Sequence, residues 1–182
     1  MCIRDRNTSW DAARFEVCGH KYMDISDYGY GVSLLNDCKY GYNVDNGTMK
    51  LSLFKCATYP DPDADKGEHV FTYSLFPHAG NYRDAGTVQL AYEINNPLKA
   101  SLIDKQNGTL PEEYSFVSCD KDNFIVETVK KAENSDDIIV RGYESYNKGT
   151  SVTLNFGFDV KEAILCDPVS YTHLTLPTKL EV

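Results

Sequence analysis

His20 to Tyr42 reads HKYMDISDYGYGVSLLNDCKYGY, and the rest of the chain is arranged around this stretch. An alternating segment, His20 to Ile25, enters a tight glycine-bearing turn. The apolar run Gly31-Val32-Ser33-Leu34-Leu35 follows and carries the pattern of a buried β-strand. It delivers Asn36, Asp37, Lys39 and Tyr40 together at its end. Convergent donors, acceptors and a cation at the end of a buried strand are how a β-scaffold presents a polar site. Side chains repeat every second residue in a strand, so Asp37 and Lys39 share a face if the strand persists that far. The bland alternative is an ion pair and turn network that merely ends the strand.

Outward from this stretch the chain is almost all strand and turn. Residues 14–17 alternate and pair with His20 to Ile25, while Tyr30 to Leu35 form the apolar strand. Asn46-Gly47 marks a two-residue hairpin leading into Met49 to Phe54, with Met49, Leu51 and Leu53 on one side. Prolines and aspartates exclude regular structure from Thr58 to Gly67. Asp61, Asp63 and Asp65 mimic part of an EF-hand, but Pro62 interrupts the series and no glutamate closes it, so a turn network is the better reading. Glu68 to Leu75 reads as the next strand. Residues 83–94 form the one helix, with Ala85, Val88, Ala91 and Tyr92 at helical spacing and Asn95-Asn96-Pro97 as its stop. Periodicity is lost over 98–115, where Gly108 and Pro111 mark a domain boundary. Beyond it, strands over 116–119, 124–130, 137–143, 151–156 and 160–165 form a second all-β meander, and short strands with frequent turns indicate a β-sandwich.

The ends read differently. Codons for Met1 to Asp5, with the start of an Arg codon, give on reverse complementation the codons of Val169 to His173, preceded by the end of a Pro codon. One short DNA sequence read in both directions thus encodes both ends. It resembles the transposon-end adapter of sequencing libraries, as in metagenomic data, and Leu174 to Thr178 look like its continuation. Residues 1–6 and 168–182 are therefore set aside as adapter-derived, leaving 7–167 as a fragment cut at both sides.

The chain carries 18 Lys and Arg against 27 Asp and Glu, a net charge of −9. Setting the ends aside removes only Arg4, Arg6, Lys179, Asp5 and Glu181. So acidic a chain repels phosphate and makes a poor partner for nucleic acid or an anionic membrane, and no apolar stretch is long enough to span a bilayer. Cys18, Cys38, Cys56, Cys119 and Cys166 form an odd, widely spaced set without CxxC. They read as reduced, mostly buried thiols, which points to the cytoplasm. The sequons at Asn7, Asn46 and Asn107 matter only in a secreted protein. His20, His69 and His78 lack the paired spacing of a metal site and read as strand-end hydrogen-bonders. Tyr28, Tyr30, Tyr73 and Tyr92 are expected to pack with their hydroxyls at a sandwich rim.

The segments HKYMDISDYGYGVSLLNDCKYGY, TYPDPDADKGEHVFTYSLFPHAG and GTVQLAYEINNPL resemble the C-terminal part of glycoside hydrolase family 38 α-mannosidases, in the cytosolic, vacuolar and bacterial branch. FVSCDKDNFIVETVKKAENSDDIIVRGYE resembles the small terminal β-sandwich of the same enzymes. The likeness runs from Ala12 to Asp167, with Tyr22 where the family usually has Trp and Met23 where it has a small residue.

The resemblance implies an all-β chain. Residues 7–97 would belong to a galactose-mutarotase-like β-supersandwich with one short helix, 98–115 would be a linker, and 116–167 a truncated small β-sandwich. It also implies retaining hydrolysis of terminal α-mannosides by an aspartate nucleophile and a second carboxylate, which retaining geometry places about 5–5.5 Å apart. A zinc ion would grip the sugar hydroxyls in the parent. Those residues belong to a catalytic region outside this chain, so no carboxylate here inherits a catalytic role, no metal ligand is assigned, and the chain alone is expected to be inactive. In the family the large sandwich packs against the catalytic domain and lends it a few polar residues, which would place Asn36, Asp37, Lys39 and Tyr40 at the edge of the substrate pocket. The partner is then an α-mannoside or oligosaccharide, and the compartment the cytoplasm, or the vacuole in a fungus. A free-standing carbohydrate-binding or interaction module is the alternative, and extending the reading frame upstream discriminates the two.

Overall fold

The computed structural model describes residues 15–105, 107–133 and 135–166. The terminal segments read as adapter-derived lie outside the described residues. The chain divides into two compact units between Leu102 and Ile103. Both are built mostly of strands, with one short helix in the first.

The first unit contains β1 (Val17–Cys18), β2 (Tyr22–Asp27), β3 (Tyr30–Asn36), β4 (Gly41–Asp45), β5 (Thr48–Ser52), β6 (Tyr73–Ala79) and α1 (Thr87–Asn95). These strands form two antiparallel sheets, ordered β1-β4-β5 and β2-β3-β6. The apolar run becomes β3, the central strand of its sheet, with Leu34 and Leu35 both buried. The β4–β5 turn is Asn46-Gly47, with φ of 47° and 74°, the paired positive values that a two-residue hairpin turn of matching twist requires. Met49, Leu51 and Leu53 take the half-buried side.

Several expectations are corrected. The 20–25 segment pairs not with β1 but with β3, from Tyr22↔Leu35 to Asp27↔Tyr30, because its alternation matches the neighbouring apolar strand across a two-residue turn. β1 pairs instead with β4. The strand expected over 68–75 begins at Tyr73 and runs through Pro77 to Ala79. Proline lacks an N–H and is tolerated there because β6 is an edge strand. The helix starts at Thr87 rather than at residue 83. Gly86 is left-handed at φ 69°, so the chain turns over 81–86, where the Asn81 carboxamide accepts from the amides of Arg83 (2.9 Å) and Asp84 (3.3 Å). α1 then lays Thr87, Val88 and Ala91 into the core.

The second unit contains β7 (Val117–Cys119), β8 (Phe124–Lys131), β9 (Ile138–Glu144) and β10 (Leu154–Phe156). It is not a meander: β8 pairs with β9, and β10 returns to pair with β7. Residues 160–165 form no strand. Asn123 joins the two strand pairs' connections, its carboxamide donating to Glu144 Oε1 and to Thr150 Oγ1, each at 2.7 Å. The cysteines are more accessible than expected: Cys18, Cys38 and Cys56 are exposed, Cys119 and Cys166 half-buried, and all five are free. Tyr28, Tyr30 and Tyr73 are likewise exposed rather than packed.

Candidate polar site at the end of the central strand

β3 ends at Asn36, so the period-two relation between Asp37 and Lys39 does not hold. What ends the strand is Asn36 itself, only 1% exposed. Its Nδ2 donates to the Tyr42 hydroxyl, its Oδ1 accepts the Lys39 amide at 2.7 Å, and its carbonyl accepts from Asn95 Nδ2 at 3.0 Å. The side chain therefore closes a turn over 36–39 and ties β3 to β4 and α1. Asn36 shapes the cluster from inside.

Asp37 and Lys39 meet the same neighbouring segment, at Thr72 and Phe71. The Asp37 amide donates to the Thr72 carbonyl at 3.2 Å, and Asp37 Oδ2 accepts the Thr72 amide at 3.0 Å. The Cys38 thiol, followed by the Thr72 amide, holds the Asp37 carboxyl below its usual range, and the Asp37 carboxylate raises the Cys38 thiol in turn. Asp37 Oδ1 is buried without a hydrogen-bond partner among the described residues. Lys39 places its ammonium 5.0 Å from the centre of the Phe71 ring. Tyr40, half exposed, packs against His20 with ring centres 4.6 Å apart. The cluster thus offers one ammonium and one phenol beside a carboxylate whose Oδ1 is buried and whose Oδ2 is taken by Thr72, held by a buried carboxamide.

A second polar group, missed in the sequence, lies beneath the sheet. Asp24 Oδ2 accepts from Ser33 Oγ at 2.7 Å and lies 2.7 Å from His78 Nε2, and Oδ1 accepts from Ser26. Ser33 and Thr87 share a further hydrogen bond of 2.8 Å. The His78 and Asp24 side chains are 2% and 8% exposed. These are the residue types of a nucleophilic triad in the wrong order. The carboxylate sits between serine and histidine, so the imidazole has no path to the serine proton. The network is a lock joining β2, β3, β6 and α1, and Gly31 is its sequence signal: a Cβ there would fall on His78 Cε1 and 2.6 Å from Ser26 Oγ.

Zinc finds no fit in these residues. His78 is engaged by Asp24, His20 by Tyr40, and His69 by the Asp65 carbonyl at 2.7 Å. No three His, Cys, Asp or Glu side chains converge among the described residues. The aspartate loop forms a turn network, with Asp61 Oδ1 accepting the Asp63 amide and Lys66 pairing with Asp63 at 2.6 Å. A groove of about 380 Å³ between β6 and α1 is lined chiefly by Leu35, Leu75, Phe76, Leu90 and Ile94, and the polar cluster is not part of it.

Two family models match the chain in order: the glycosyl hydrolases family 38 C-terminal domain over residues 2–63 and the family 38 C-terminal beta sandwich domain over residues 123–170. The chain belongs to the C-terminal region of glycosyl hydrolase family 38. Human alpha-mannosidase 2C1 is 43% identical over 177 residues, covering 93% of this chain and 17% of the human protein. Alpha-mannosidase G of Dictyostelium discoideum is 44% identical, covering 82% of the chain and 14% of that protein. The alpha-mannosidase of Saccharomyces cerevisiae is 38% identical, covering 85% and 15%. The chain therefore spans about a sixth of the length of the family 38 relatives it matches. Among solved structures, a family 38 protein from Enterococcus faecalis superposes over 78% of the chain with a TM-score of 0.68 at 20% identity, a likeness of fold.

Proposed function

We propose that this chain is the non-catalytic C-terminal part of a retaining α-mannosidase acting on terminal α-D-mannosides of oligosaccharides, and that it supports and edges an active site carried by polypeptide outside it. The observation that carries this reading is the ordered match of both family 38 C-terminal domains, with α-mannosidase relatives 38–44% identical. In this reading the nucleophile, the acid/base carboxylate and the zinc ligands lie in that other polypeptide. Asp37, Lys39 and Tyr40 stand at the rim of the mannose pocket, positioned by Asn36. An ammonium that faces an aromatic ring rather than a carboxylate supports this placement. A cation there would hydrogen-bond a sugar hydroxyl or steady the nucleophile's carboxylate.

The compartment we assign is the cytoplasm, or the vacuole for a fungal source, in keeping with five free thiols. The net charge of −9 argues against nucleic acid or an anionic membrane as partner, and among the described residues no helix is long and apolar enough to cross a membrane.

The test sets the 182-residue chain beside the polypeptide of the uninterrupted reading frame, with an aryl α-mannoside as substrate and metal analysis of both. Turnover and stoichiometric zinc are expected in the long protein alone. Turnover by the short chain that survives repurification overturns the assignment. An upstream frame that ends at once in a start codon, together with mannoside binding by the short chain, would instead make it a free-standing module.

A further inference from the structure

β5 ends at Ser52 and β6 begins at Tyr73, and the connection between them, residues 53–72, holds no helix or strand. Irregular connections longer than about 12–15 residues are uncommon in compact domains and often serve function. This one is closed on itself. The Phe54 and His69 rings stack at its neck, with centres 5.4 Å apart and planes 16° from parallel. Within it the Asp65 carbonyl accepts from His69 Nε2 at 2.7 Å and from the Cys56 thiol at 3.7 Å, and the Asp61 and Asp63 carbonyls accept the amides of Ala64 and Lys66. A loop whose ends meet and whose side chains pack among themselves is of the Ω type. Beyond the neck its last two residues meet the polar cluster, Phe71 at Lys39 and Thr72 at Asp37.

Lys39 is the member of the cluster least able to hold its own place, because a lysine stem is among the side chains that lose most freedom when ordered. Among the described residues it forms no ion pair, so no carboxylate fixes its ammonium. Phe71 does. Nζ lies 5.0 Å from the ring centre, within the roughly 6 Å over which the negative face of a ring attracts a cation. The ring is itself placed: it is half-buried, stacks on Tyr73 with centres 6.4 Å apart, and precedes Thr72, whose amide and carbonyl are both bonded to Asp37. A carboxylate partner would occupy ammonium N–H donors and neutralise the charge. A ring face holds the cation by its quadrupole and leaves donors for an incoming oxygen.

We propose that Phe71 is a positioning residue of the rim: its ring holds the Lys39 ammonium in the place from which it serves the mannose pocket, and the self-closed loop between Phe54 and His69 is the frame that fixes the ring. This rests on the functional reading above, in which Lys39 stands at that pocket.

A double-variant cycle in the full-length polypeptide tests it, with an aryl α-mannoside as substrate. Phe71→Leu keeps an apolar side chain and removes the ring. It is expected to lower kcat/KM by about two- to thirtyfold, the range that a cation–π contact covers, and to divide the loss between kcat and KM as Lys39→Met does. Phe71→Tyr, which keeps the ring, is expected to stay within about twofold of wild type. In the Lys39→Met background Phe71→Leu should cost nothing more. A loss that persists undiminished in that background would overturn the proposal, since that is what a packing role predicts; so would a Phe71→Tyr variant as impaired as Phe71→Leu. Wild-type kinetics of Phe71→Leu beside an impaired Lys39→Met would also overturn it and leave the functional reading standing. The contact is read without turnover by proton NMR of the 182-residue chain. The Lys39 methylene resonances next to Nζ are expected to lie upfield through the Phe71 ring current and to return in Phe71→Leu. Unshifted resonances would overturn the proposal even where the long variant fails to fold. An upfield shift with unimpaired Lys39→Met kinetics would sink the functional reading, and the role of Phe71 with it.

Discussion

Replacing His78 with leucine is expected to be among the most damaging single changes in the first unit. The imidazole Nε2 lies 2.7 Å from Asp24 Oδ2, and the two side chains are 2% and 8% exposed. Removing the imidazole leaves a largely buried carboxylate with two serine hydroxyls and no ring partner, and breaking a buried pair in this way costs about 3–5 kcal/mol. For a chain of this size that lowers Tm by about 6–20 °C. Asp24→Asn keeps an acceptor for Ser33 and Ser26 and should cost less, about 1–3 kcal/mol. Once Asp24 is an amide no charge is stranded, so the double variant should cost less than the two single changes together, by at least about 1 kcal/mol. Urea unfolding followed by far-UV circular dichroism at micromolar concentration measures all three. A cost below about 1 kcal/mol for His78→Leu, or strict additivity, would refute the view that this network locks the helix to the sheet.

Three further outcomes are expected. Gly31→Ala should destabilise the chain by about 1–3 kcal/mol, as overpacking does, since the added methyl meets His78 and Ser26; an unchanged urea midpoint would show that the ring moves freely. Against the desolvation it suffers, the Glu144 carboxyl is held below its usual range by the amides of Lys148 and Tyr146 and by Asn123. A carboxyl depressed in the folded state stabilises above its unfolded pKa, near 4.3, and loses that contribution as pH falls through the folded value. Glu144→Gln should therefore lower the midpoint at pH 7 and flatten the acid-side decline, and an identical acid profile would contradict this. On the reading of residues 1–6 and 168–182 as adapter-derived, removing them should leave the thermal midpoint unchanged or raise it, since such segments were never selected to pack here; a drop of several degrees would show that they dock.

Much of the fold was legible because it is written locally. The run Gly31 to Leu35 announces a buried strand, and Asn46-Gly47 announces its hairpin with the two positive φ values that the turn needs. Errors arose where local signals compete. His69 to Thr72 carry strand-forming residues, whereas Pro77 resembles a stop; the strand begins only at Tyr73, and the edge position of β6 lets it run through Pro77. Helical periodicity reaches back to Ala85, but one left-handed glycine at 86 moves the start to Thr87. The buried network was beyond reach, because Asp24 and His78 stand 54 residues apart and meet only across a central strand. Of the polar cluster, the residue types at the strand end were visible. Its geometry was not, because Asn36 turns its side chain inward and ends the period-two alternation.

The most direct test of the central claim, that this chain edges an active site it does not contain, is kcat/KM for an aryl α-mannoside with Lys39→Met in the full-length enzyme, read together with its Tm. A charged hydrogen bond is worth roughly 1.5–3 kcal/mol, so the account predicts a loss of about ten- to a hundredfold with Tm unchanged; Asp37→Asn should show the same kinetic loss with a lower Tm, since its depressed carboxyl also stabilises the fold at pH 7. A kcat/KM within about twofold of wild type in a normally folded variant would contradict it and leave the cluster as scaffold.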